Sequence, residues 1–200
     1  MKGRGFEFAR KIVDGVAVEG SKAYDEAKIP EYQTKNSAGA DFFSVGEVEV
    51  PSIWAGIPSA FKVKVSGFMG TLSNCLFDAE VYKSDNEMNI LRRLFQPTFI
   101  HTGIKAFMKP DEVLELYIRS SSPKKLGLVL ANSVGVIDSD YYNNKDNDGE
   151  IMIAVYNLFP WSVHIAPGTR IGQGVFKKFL RPTDALVKDV KRAGGYGSTN

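Results

Sequence analysis

The main pattern along the chain is an alternation of apolar and polar residues with a period of two. In "FKVKV", the side chains of Phe61, Val63 and Val65 share one face and two lysines share the other. Similar β-rich runs are "EVLELYI", "LGLVLA", "EIMIAVYNLF", "WSVHIA" and "QGVFKKFL", and they are separated by turn sequences such as "MKPDE", "SSSPKK", "NNKDNDGE" and "APGTR". Many short strands with such turns predict an all-β sandwich or barrel. Helix is expected only in short pieces such as "NEMNILRRLF".

Two regions depart from this pattern. Residues 182–200 are polar and then glycine-rich, which predicts a flexible arm that leaves a β domain formed by residues 1–181. Residues 46–94 contain Trp, Pro and Gly together with the charged segment "KSDNEMN", which predicts irregular β structure.

Composition narrows the class of protein. Hydrophobic residues make up 44% of the chain, charged residues make up 24%, and the formal net charge is +2. These values are typical of a soluble globular protein and provide no large basic field for duplex DNA. The one cysteine, Cys75, excludes an intrachain disulfide and fits a reducing compartment. Since neither a membrane-spanning run nor a signal peptide is visible, we expect a cytoplasmic protein that binds neither membranes nor nucleic acid directly.

Three stretches combine turn-forming residues with charge. In "SAGADFF" (residues 37–43), small residues permit close backbone approach before Asp41, although alone the stretch indicates a turn entering a strand. In "RSSSPKKLG" (residues 119–127), the serines, backbone amides and Arg119 suit phosphate oxygens. An ordinary loop or a capped helix N-terminus explains this second stretch equally well. The stretch "PGTRIGQGVF" (residues 167–176), which is the fourth of the five candidate stretches in chain order, alone indicates a hairpin.

Two further stretches carry candidate chemistry. In "LANSVGVIDSDYY" (residues 130–142), Asp138 ends an apolar run, where a carboxylate is costly to bury without a partner or a role. A hairpin turn explains Asp140 better than Asp138. The closing "RAGGYGSTN" (residues 192–200) has too little apolar surface to form a core, so it would ordinarily be a frayed tail. Its cation, bare amides and hydroxyls nevertheless suit a polyphosphate, and its aromatic ring suits a base.

Other common chemistries lack their motifs. The sequence contains neither a GxxxxGK[ST] phosphate loop nor an HExxH motif. His101 and His164 lie far apart in β-like runs, so we expect both to be structural. Without clustered Cys or His residues, a zinc site built by the protein is not expected.

Taken in order, the five stretches resemble the five motifs of the trimeric dUTPase family. The resemblance covers residues 37–44 and about residues 97–200, and the third motif, "NSVGVIDSDY", matches best. Motifs one and two are farther apart than usual, which we attribute to an insertion within residues 46–94, as in a phage or prophage member. A second insertion, "YNNKDNDGE", follows Tyr141. Gly172 stands where the fourth motif usually has alanine, and Tyr196 stands where the fifth usually has phenylalanine.

The resemblance implies a jelly-roll subunit that assembles as a homotrimer and hydrolyses dUTP to dUMP and pyrophosphate. Such an enzyme limits uracil incorporation into DNA and supplies dUMP for thymidylate synthesis. The resemblance makes Asp138 the general base that holds the attacking water. It places Ser120 on the α–β bridging oxygen and Arg119 on the α-phosphate and Asp138. The cofactor would be Mg²⁺, held mainly by the substrate phosphates, with Asp41 reaching it through water.

The same resemblance implies the substrate contacts. The hairpin around Asn132 would read uracil, Tyr141 would pack against deoxyribose and exclude a 2′-hydroxyl, and Tyr196 in the arm would stack on the base. The implied substrate-binding residues are Ser121, Ser122, Asn132, Gly135, Val136, Ile137, Tyr141, Gln173, Arg192, Gly194, Gly195, Tyr196, Gly197, Ser198 and Thr199. The arm would close over a neighbouring subunit's site.

Two alternative functions are compatible with this fold. A dCTP deaminase would carry RSSxxR in the second motif and a glutamate soon after the third motif. This chain has "RSSSPKK", with lysine in place of that arginine, and "DSDYY" in the third motif, so the sequence disfavours deamination. The other alternative is a regulatory protein that binds a partner through residues 46–94, because inserted segments serve partner binding in some phage members of the family. Turnover of dUTP would distinguish an enzyme from a purely regulatory relative.

Overall fold

Short β-strands form most of the regular structure in residues 3–55, 96–184 and 186, which are the residues that the computed structural model describes. The strands are β1 (Gly5–Phe8), β2 (Ile12–Val13), β3 (Val16–Ala17), β4 (Ala40–Phe43), β5 (Val48–Val50), β6 (Thr98–His101), β7 (Ile104–Phe107), β8 (Glu112–Ile118), β9 (Leu128–Leu130), β10 (Gly135–Asp138), β11 (Met152–Asn157), β12 (Val163–Ile165) and β13 (Arg170–Lys178). Between them lie the short helix α1 (Ser122–Leu126) and a 3₁₀ turn at Ser139–Tyr141. The all-β prediction is therefore confirmed.

Five of the runs identified from their pattern contain strands. "EVLELYI" is β8, and "LGLVLA", "EIMIAVYNLF", "WSVHIA" and "QGVFKKFL" contain β9, β11, β12 and most of β13. "FKVKV" and "NEMNILRRLF" lie outside the described residues, as do most of the predicted insertion and nearly all of the predicted arm.

A four-stranded antiparallel sheet with the order β10–β8–β13–β4 positions the candidate site. Alternation gives this sheet two different faces. Its inward face contributes the buried side chains of Phe42, Leu114, Leu116 and Ile137 to the core. On the other face, Asp41, Gln173 and Tyr117 lie side by side on β4, β13 and β8. Asp138 on β10 is opposite Val113, which lies on β8 four positions before Tyr117.

A three-stranded sheet, β6–β11–β9, supplies the facing side of the core. Its buried side chains, which include Ile100, Ile153, Val155 and Leu128, belong to the same hydrophobic cluster as those of the four-stranded sheet. The pair β1–β7 adds Phe6, whose ring meets the Phe42 ring edge-on with centroids 5.4 Å apart. Two smaller pairs, β12–β5 and β2–β3, complete the described strands. Among the described helices, none has the length and apolar character needed to cross a membrane.

Candidate active site

Three strands meet at a polar cleft, which we call the phosphate cleft. It has a volume of about 340 Å³. Its lining residues come from the first, second and fourth of the candidate stretches and from their neighbours: Gln33, Ser37, Ala38, Gly39, Asp41, Tyr117, Arg119, Ser120, Gln173 and Val175. The register of β4, β13 and β8 brings these distant parts of the chain together, because Asp41, Gln173 and Tyr117 are cross-strand neighbours.

Asp41 organises the cations of the phosphate cleft. Asp41 is only 5% exposed, and its carboxylate accepts a hydrogen bond from Arg119 Nε at 3.2 Å and another from Arg170 Nη1 at 3.4 Å. Arg170 Nη1 also donates to Gln33 Oε1 at 2.8 Å. A carboxylate between two guanidinium groups holds both at the cleft, where they can meet an anion. We did not identify Arg170 or Gln33 as site residues from the sequence, although Arg170 stands in the fourth stretch, and Gln33 carries no motif signal.

A glycine in the first stretch is required by the position of Gln173. A Cβ atom at Gly39 would lie 2.5 Å from Gln173 Oε1 and 3.1 Å from its Cδ. Those distances are shorter than van der Waals contact, so a larger residue would displace the Gln173 amide from the cleft. The small residues of "SAGADFF" therefore have a structural reason beyond forming a turn.

The three serines of the second stretch have different environments. Ser120 lines the phosphate cleft. Ser121 is the N-cap of α1 without a side-chain capping bond, and Ser122 is buried, with 2% of the residue exposed. The structure thus places Ser120 in the cleft with Asp41, Arg119 and Gln173, whereas Ser121 and Ser122 lie outside its lining.

A second cleft, which we call the hairpin cleft, lies between β10 and β11. Its volume is about 180 Å³, and it is lined by Leu116, Leu130, Asn132, Gly135, Val136, Ile137, Tyr141, Met152, Ile153 and Ala154. All five hairpin residues selected from the sequence as substrate contacts are in this lining. The apolar members Leu116, Leu130, Met152 and Ile153 were not selected, because alternation marked them only as strand or core positions.

The hairpin itself is tight. Ser133 adopts a left-handed backbone with φ of 56°, and the Val134 amide donates to the Asn132 carbonyl at 2.6 Å. The following strand, β10, is at the end of the sheet order, so β8 is its one neighbour among the described strands. An edge strand presents backbone N–H and C=O groups on its other side. This arrangement can recognise a planar polar molecule by backbone hydrogen bonds.

Tyr141 closes the hairpin cleft with its ring and is 3% exposed. Its hydroxyl donates to the Glu150 carbonyl at 2.8 Å and accepts from Asn147 Nδ2 at 2.9 Å. The hydroxyl is therefore used within the fold, and the cleft is bordered by ring carbon atoms.

Asp138 lies far from the phosphate cleft of its own chain. Asp138 is paired with Val113 of β8, whereas Asp41 is level with Tyr117, four positions along the same strand. Three strand spacings separate β10 from β4 across the sheet. At about 3.4 Å per residue and about 4.8 Å per strand, the two backbone positions are roughly 20 Å apart. Arg119 and Ser120 follow the end of β8 and lie still farther along it. Asp138 and Ser120 of one chain therefore cannot act on the same atom.

Glu115, which lies on β8 between Val113 and Tyr117, forms an ion pair with Lys177. Hydrogen bonds from Lys177 and Tyr117 hold the pKa of the Glu115 carboxyl below its ordinary value. A paired, ionised carboxylate of this kind is a poor proton acceptor, so Glu115 does not compete with Asp138 as a candidate base.

The remaining sequence predictions concern a metal and the arm. The described residues contain no group of three or more His, Cys, Asp or Glu side chains arranged to hold a metal ion. The predicted contacts in the arm lie outside the described residues: Arg192, Gly194, Gly195, Tyr196, Gly197, Ser198 and Thr199.

Comparisons with known proteins agree on one family. The family model described as dUTPase matches residues 85–200. The deoxyuridine 5′-triphosphate nucleotidohydrolase of Lactococcus lactis subsp. lactis (strain IL1403) is 52% identical over 101 residues, which are 50% of this chain and 67% of that protein. A crystal structure of dUTPase from Streptococcus mutans superposes with a TM-score of 0.58 at 32% identity, covering 89% of this chain and 98% of the other.

A more distant structure shares the fold. It is a mutant dUTPase from phage phi11 of S. aureus, described with the coordination of a structural Mg(II) ion. Its TM-score is 0.54 at 15% identity, and the match covers 94% of this chain and 98% of the other.

Proposed function

The chain belongs to the dUTPase family, and from that premise we infer that it is a dUTP diphosphatase, which hydrolyses dUTP to dUMP and pyrophosphate. The observation that carries this function is the presence of two complementary clefts on one β domain. The phosphate cleft supplies cations, amides and a hydroxyl, while the hairpin cleft supplies an edge strand and an aromatic ring. One cleft from each of two neighbouring subunits would together match the two ends of a nucleoside triphosphate.

Asp138 is the proposed general base. Water must attack the α-phosphorus, and a carboxylate can orient that water and accept its proton. Asp138 ends β10 and immediately follows the hairpin that would hold the base and sugar. This position would present the carboxylate and its water to the first phosphate after the sugar.

The phosphate cleft would stabilise the charge that develops as the α–β bond breaks. Ser120 would donate to the bridging oxygen, and Arg119 would hold the α-phosphate. Arg170, which Asp41 holds at the same cleft, adds a further positive charge there. Gln173, with space provided by Gly39, would donate its amide to a phosphate oxygen.

The residues of the phosphate cleft fit a magnesium ion that is held mainly by the substrate. Among the described residues of the lining, Asp41 is the one carboxylate, which is too few for a cage made of protein alone. Each Asp41 oxygen accepts one arginine hydrogen bond within the chain and retains capacity to accept from a metal-bound water. Bound Mg²⁺ would neutralise part of the triphosphate charge.

The hairpin cleft would select deoxyuridine. The outer edge of β10, away from β8, and the turn at Asn132 can form backbone hydrogen bonds with the uracil edge. The tight hairpin would leave no room for the methyl group of thymine. Tyr141 would pack its ring against the deoxyribose, because its hydroxyl is already bonded inside the fold.

We propose that the enzyme is a homotrimer whose sites are shared between subunits. This proposal is supported by the separation of roughly 20 Å across the sheet between Asp138 and the phosphate cleft of the same chain. Since Asp138 and Ser120 must both contact one α-phosphate group, they would have to come from different chains. The arm would close each site, and its Arg192, Ser198 and Thr199 would contact the γ-phosphate.

A nucleotide panel tests the function. The purified chain would be assayed with Mg²⁺ and dUTP, dCTP, dTTP or UTP, and both pyrophosphate and ammonia would be measured. We expect pyrophosphate from dUTP above all. Ammonia from dCTP would instead support the deaminase alternative, and a lack of dUTP turnover would overturn the proposed activity.

Two matched variants test the base. Asp138→Asn should lower kcat by roughly 10²-fold or more, since a carboxamide cannot accept the proton, while binding of a non-hydrolysable dUTP analogue should persist. Asp140→Asn, in the same turn, should keep a kcat near that of the parent. Similar losses in both variants would contradict the assignment of Asp138.

A further inference from the structure

Residues 142–150, the second insertion, surround Tyr141 with hydrogen bonds. Asn147 Nδ2 donates both to the Tyr141 hydroxyl at 2.9 Å and to the Glu150 carbonyl at 3.1 Å. The Tyr141 hydroxyl donates to that same carbonyl at 2.8 Å. Asn144 Nδ2 donates to the Tyr141 backbone carbonyl at 3.0 Å. The insertion therefore fixes the aromatic side chain at its tip and at its backbone.

Asn147 is itself held in one orientation. Its Oδ1 accepts from Asn144 Nδ2 at 2.8 Å and from the Gly149 amide at 3.2 Å. These two bonds leave its amide nitrogen pointing toward the Tyr141 hydroxyl. Gly149 has φ of 83°, and a Cβ atom there would lie 2.8 Å from the Tyr141 carbonyl oxygen. The loop thus has no room to shift at this point.

The loop is anchored to the domain by a buried carboxylate. Asp148, 1% exposed, accepts from the Arg10 backbone amide at 2.8 Å and from Lys105 Nζ at 2.7 Å. Lys105 lies on β7 and is also buried. Asn147, the neighbour of Asp148, is therefore tied through that residue to β7 and to the segment that follows β1.

We propose that Asn147 is a positioning residue that sets the selection of deoxyribose over ribose by fixing the Tyr141 ring. This inference rests on the proposed function, in which that ring packs against the sugar. The Tyr141 ring can exclude the 2′-hydroxyl of a ribose only if the ring does not move away from the sugar. Because the Tyr141 hydroxyl is bonded within the fold, discrimination comes from the position of the ring carbons rather than from a hydrogen bond to the sugar.

The test measures kcat/KM for dUTP and for UTP and uses their ratio. Asn147→Ala removes the amide that holds the hydroxyl, and Tyr141→Phe removes the hydroxyl while leaving the ring. Each variant should lower the dUTP-to-UTP ratio by about tenfold, because both remove the hydrogen bond from Asn147 Nδ2 to the Tyr141 hydroxyl that holds the ring in place. The exposed Lys145, in the same loop, provides the matched control Lys145→Ala, which should keep the parent ratio.

A double variant separates positioning from general damage. If Asn147 acts through the Tyr141 hydroxyl, adding Asn147→Ala to Tyr141→Phe should change the ratio little further. If the two effects multiply, the proposal is wrong. A loss that lowers kcat/KM equally for both nucleotides, with the ratio unchanged, would also overturn it.

Folding and function are checked separately. Circular dichroism should show that each variant retains the parent fold. If Asn147→Ala does not fold, Tyr141→Phe decides the question alone, because it leaves the bonds of Asn147 to Asn144 and Gly149 in place, and an unchanged ratio in that variant overturns the proposal. If the parent itself hydrolyses no dUTP, the proposed function fails. If the parent prefers dUTP and both variants keep that preference, only the present inference fails.

Discussion

Replacing Asp148 with asparagine should destabilise the protein more than any surface charge change. Asp148 is 1% exposed and has two cationic partners, Arg10 and Lys105, of which Lys105 is 3% exposed. Burial alone would raise the pKa of the Asp148 carboxyl, but hydrogen bonds from Arg10 and Lys105 hold it below its ordinary value of 3.8. Removing the charge leaves the buried Lys105 ammonium without its anionic partner, beside the Asn143 side-chain amide oxygen at 2.6 Å and the Tyr142 ring at 5.0 Å.

The expected magnitude follows from that geometry. Breaking a buried ion pair by removing one partner costs about 3–5 kcal/mol, because the remaining charge is uncompensated. A loss of this size is a large part of the stability of an ordinary domain, about 5–15 kcal/mol. Lys105→Met should cost less, about 1–3 kcal/mol, since Arg10 still neutralises Asp148. The exposed pair of Asp111 and Lys178 supplies the control, and Asp111→Asn should cost at most about 1 kcal/mol.

Urea unfolding at one fixed chain concentration would measure these differences, since assembly makes stability concentration-dependent. The pH dependence gives a second check. A carboxyl with a lowered pKa contributes stability above its ordinary pKa and loses it as the pH falls through the lowered value. The difference between parent and Asp148→Asn should therefore shrink as the pH falls below 3.8. A cost for Asp148→Asn as small as that of Asp111→Asn would refute the argument.

Three further predictions follow from the fold and the family. Light scattering should give about three times the 22.0 kDa chain mass, and a fully active monomer would contradict the shared site. Deleting residues 192–200 should leave the trimer intact but lower kcat by about 10²-fold, because the triphosphate loses alignment; unchanged turnover would contradict a catalytic arm. A hydrogen bond with Glu150 raises the pKa of His101 above 6.5. The small contribution of protonated His101 to the stability of the fold is therefore complete below pH 6.5 and is lost as the pH rises through the raised pKa. The urea midpoint of His101→Gln should approach that of the parent as the pH rises above 6.5, and a constant difference would contradict this.

Local pattern was sufficient to predict much of the fold. Alternation in "EVLELYI" and "EIMIAVYNLF" depends only on which residues face the core, and both runs contain the expected strands. Motif order identified the family, and the residues around Asn132 and Tyr141 do line one cleft. The sequence could predict that these residues share a cleft, because residues that are neighbours on one hairpin lie close together in any fold that contains the hairpin.

Long-range pairing could not be predicted from those patterns. Asp148 and Arg10 are 138 positions apart, and nothing in "NNKDNDGE" or in "FARK" indicates that they meet. The Asx-rich loop appears in the sequence as a turn, yet its carboxylate is buried against two cations. Contacts of this kind depend on which strands become neighbours, here β1 and β7, and the spacing of residues along the chain does not encode that choice.

Gly172 shows how the two clefts depend on one another. It stands where the family usually has alanine, a difference that the sequence alone presents as neutral. In the structure, a Cβ atom at Gly172 would lie 2.7 Å from Ile153 Cδ1 and 3.1 Å from the Tyr117 carbonyl oxygen. Ile153 lines the hairpin cleft, and Tyr117 lines the phosphate cleft. An added methyl group would have to displace the end of the Ile153 side chain, because the Tyr117 carbonyl belongs to a backbone that is paired with β13. Glycine at position 172 therefore leaves space for the Ile153 side chain of β11. In this way the packing of a residue that lines the hairpin cleft constrains β13, the strand that carries Gln173 of the phosphate cleft.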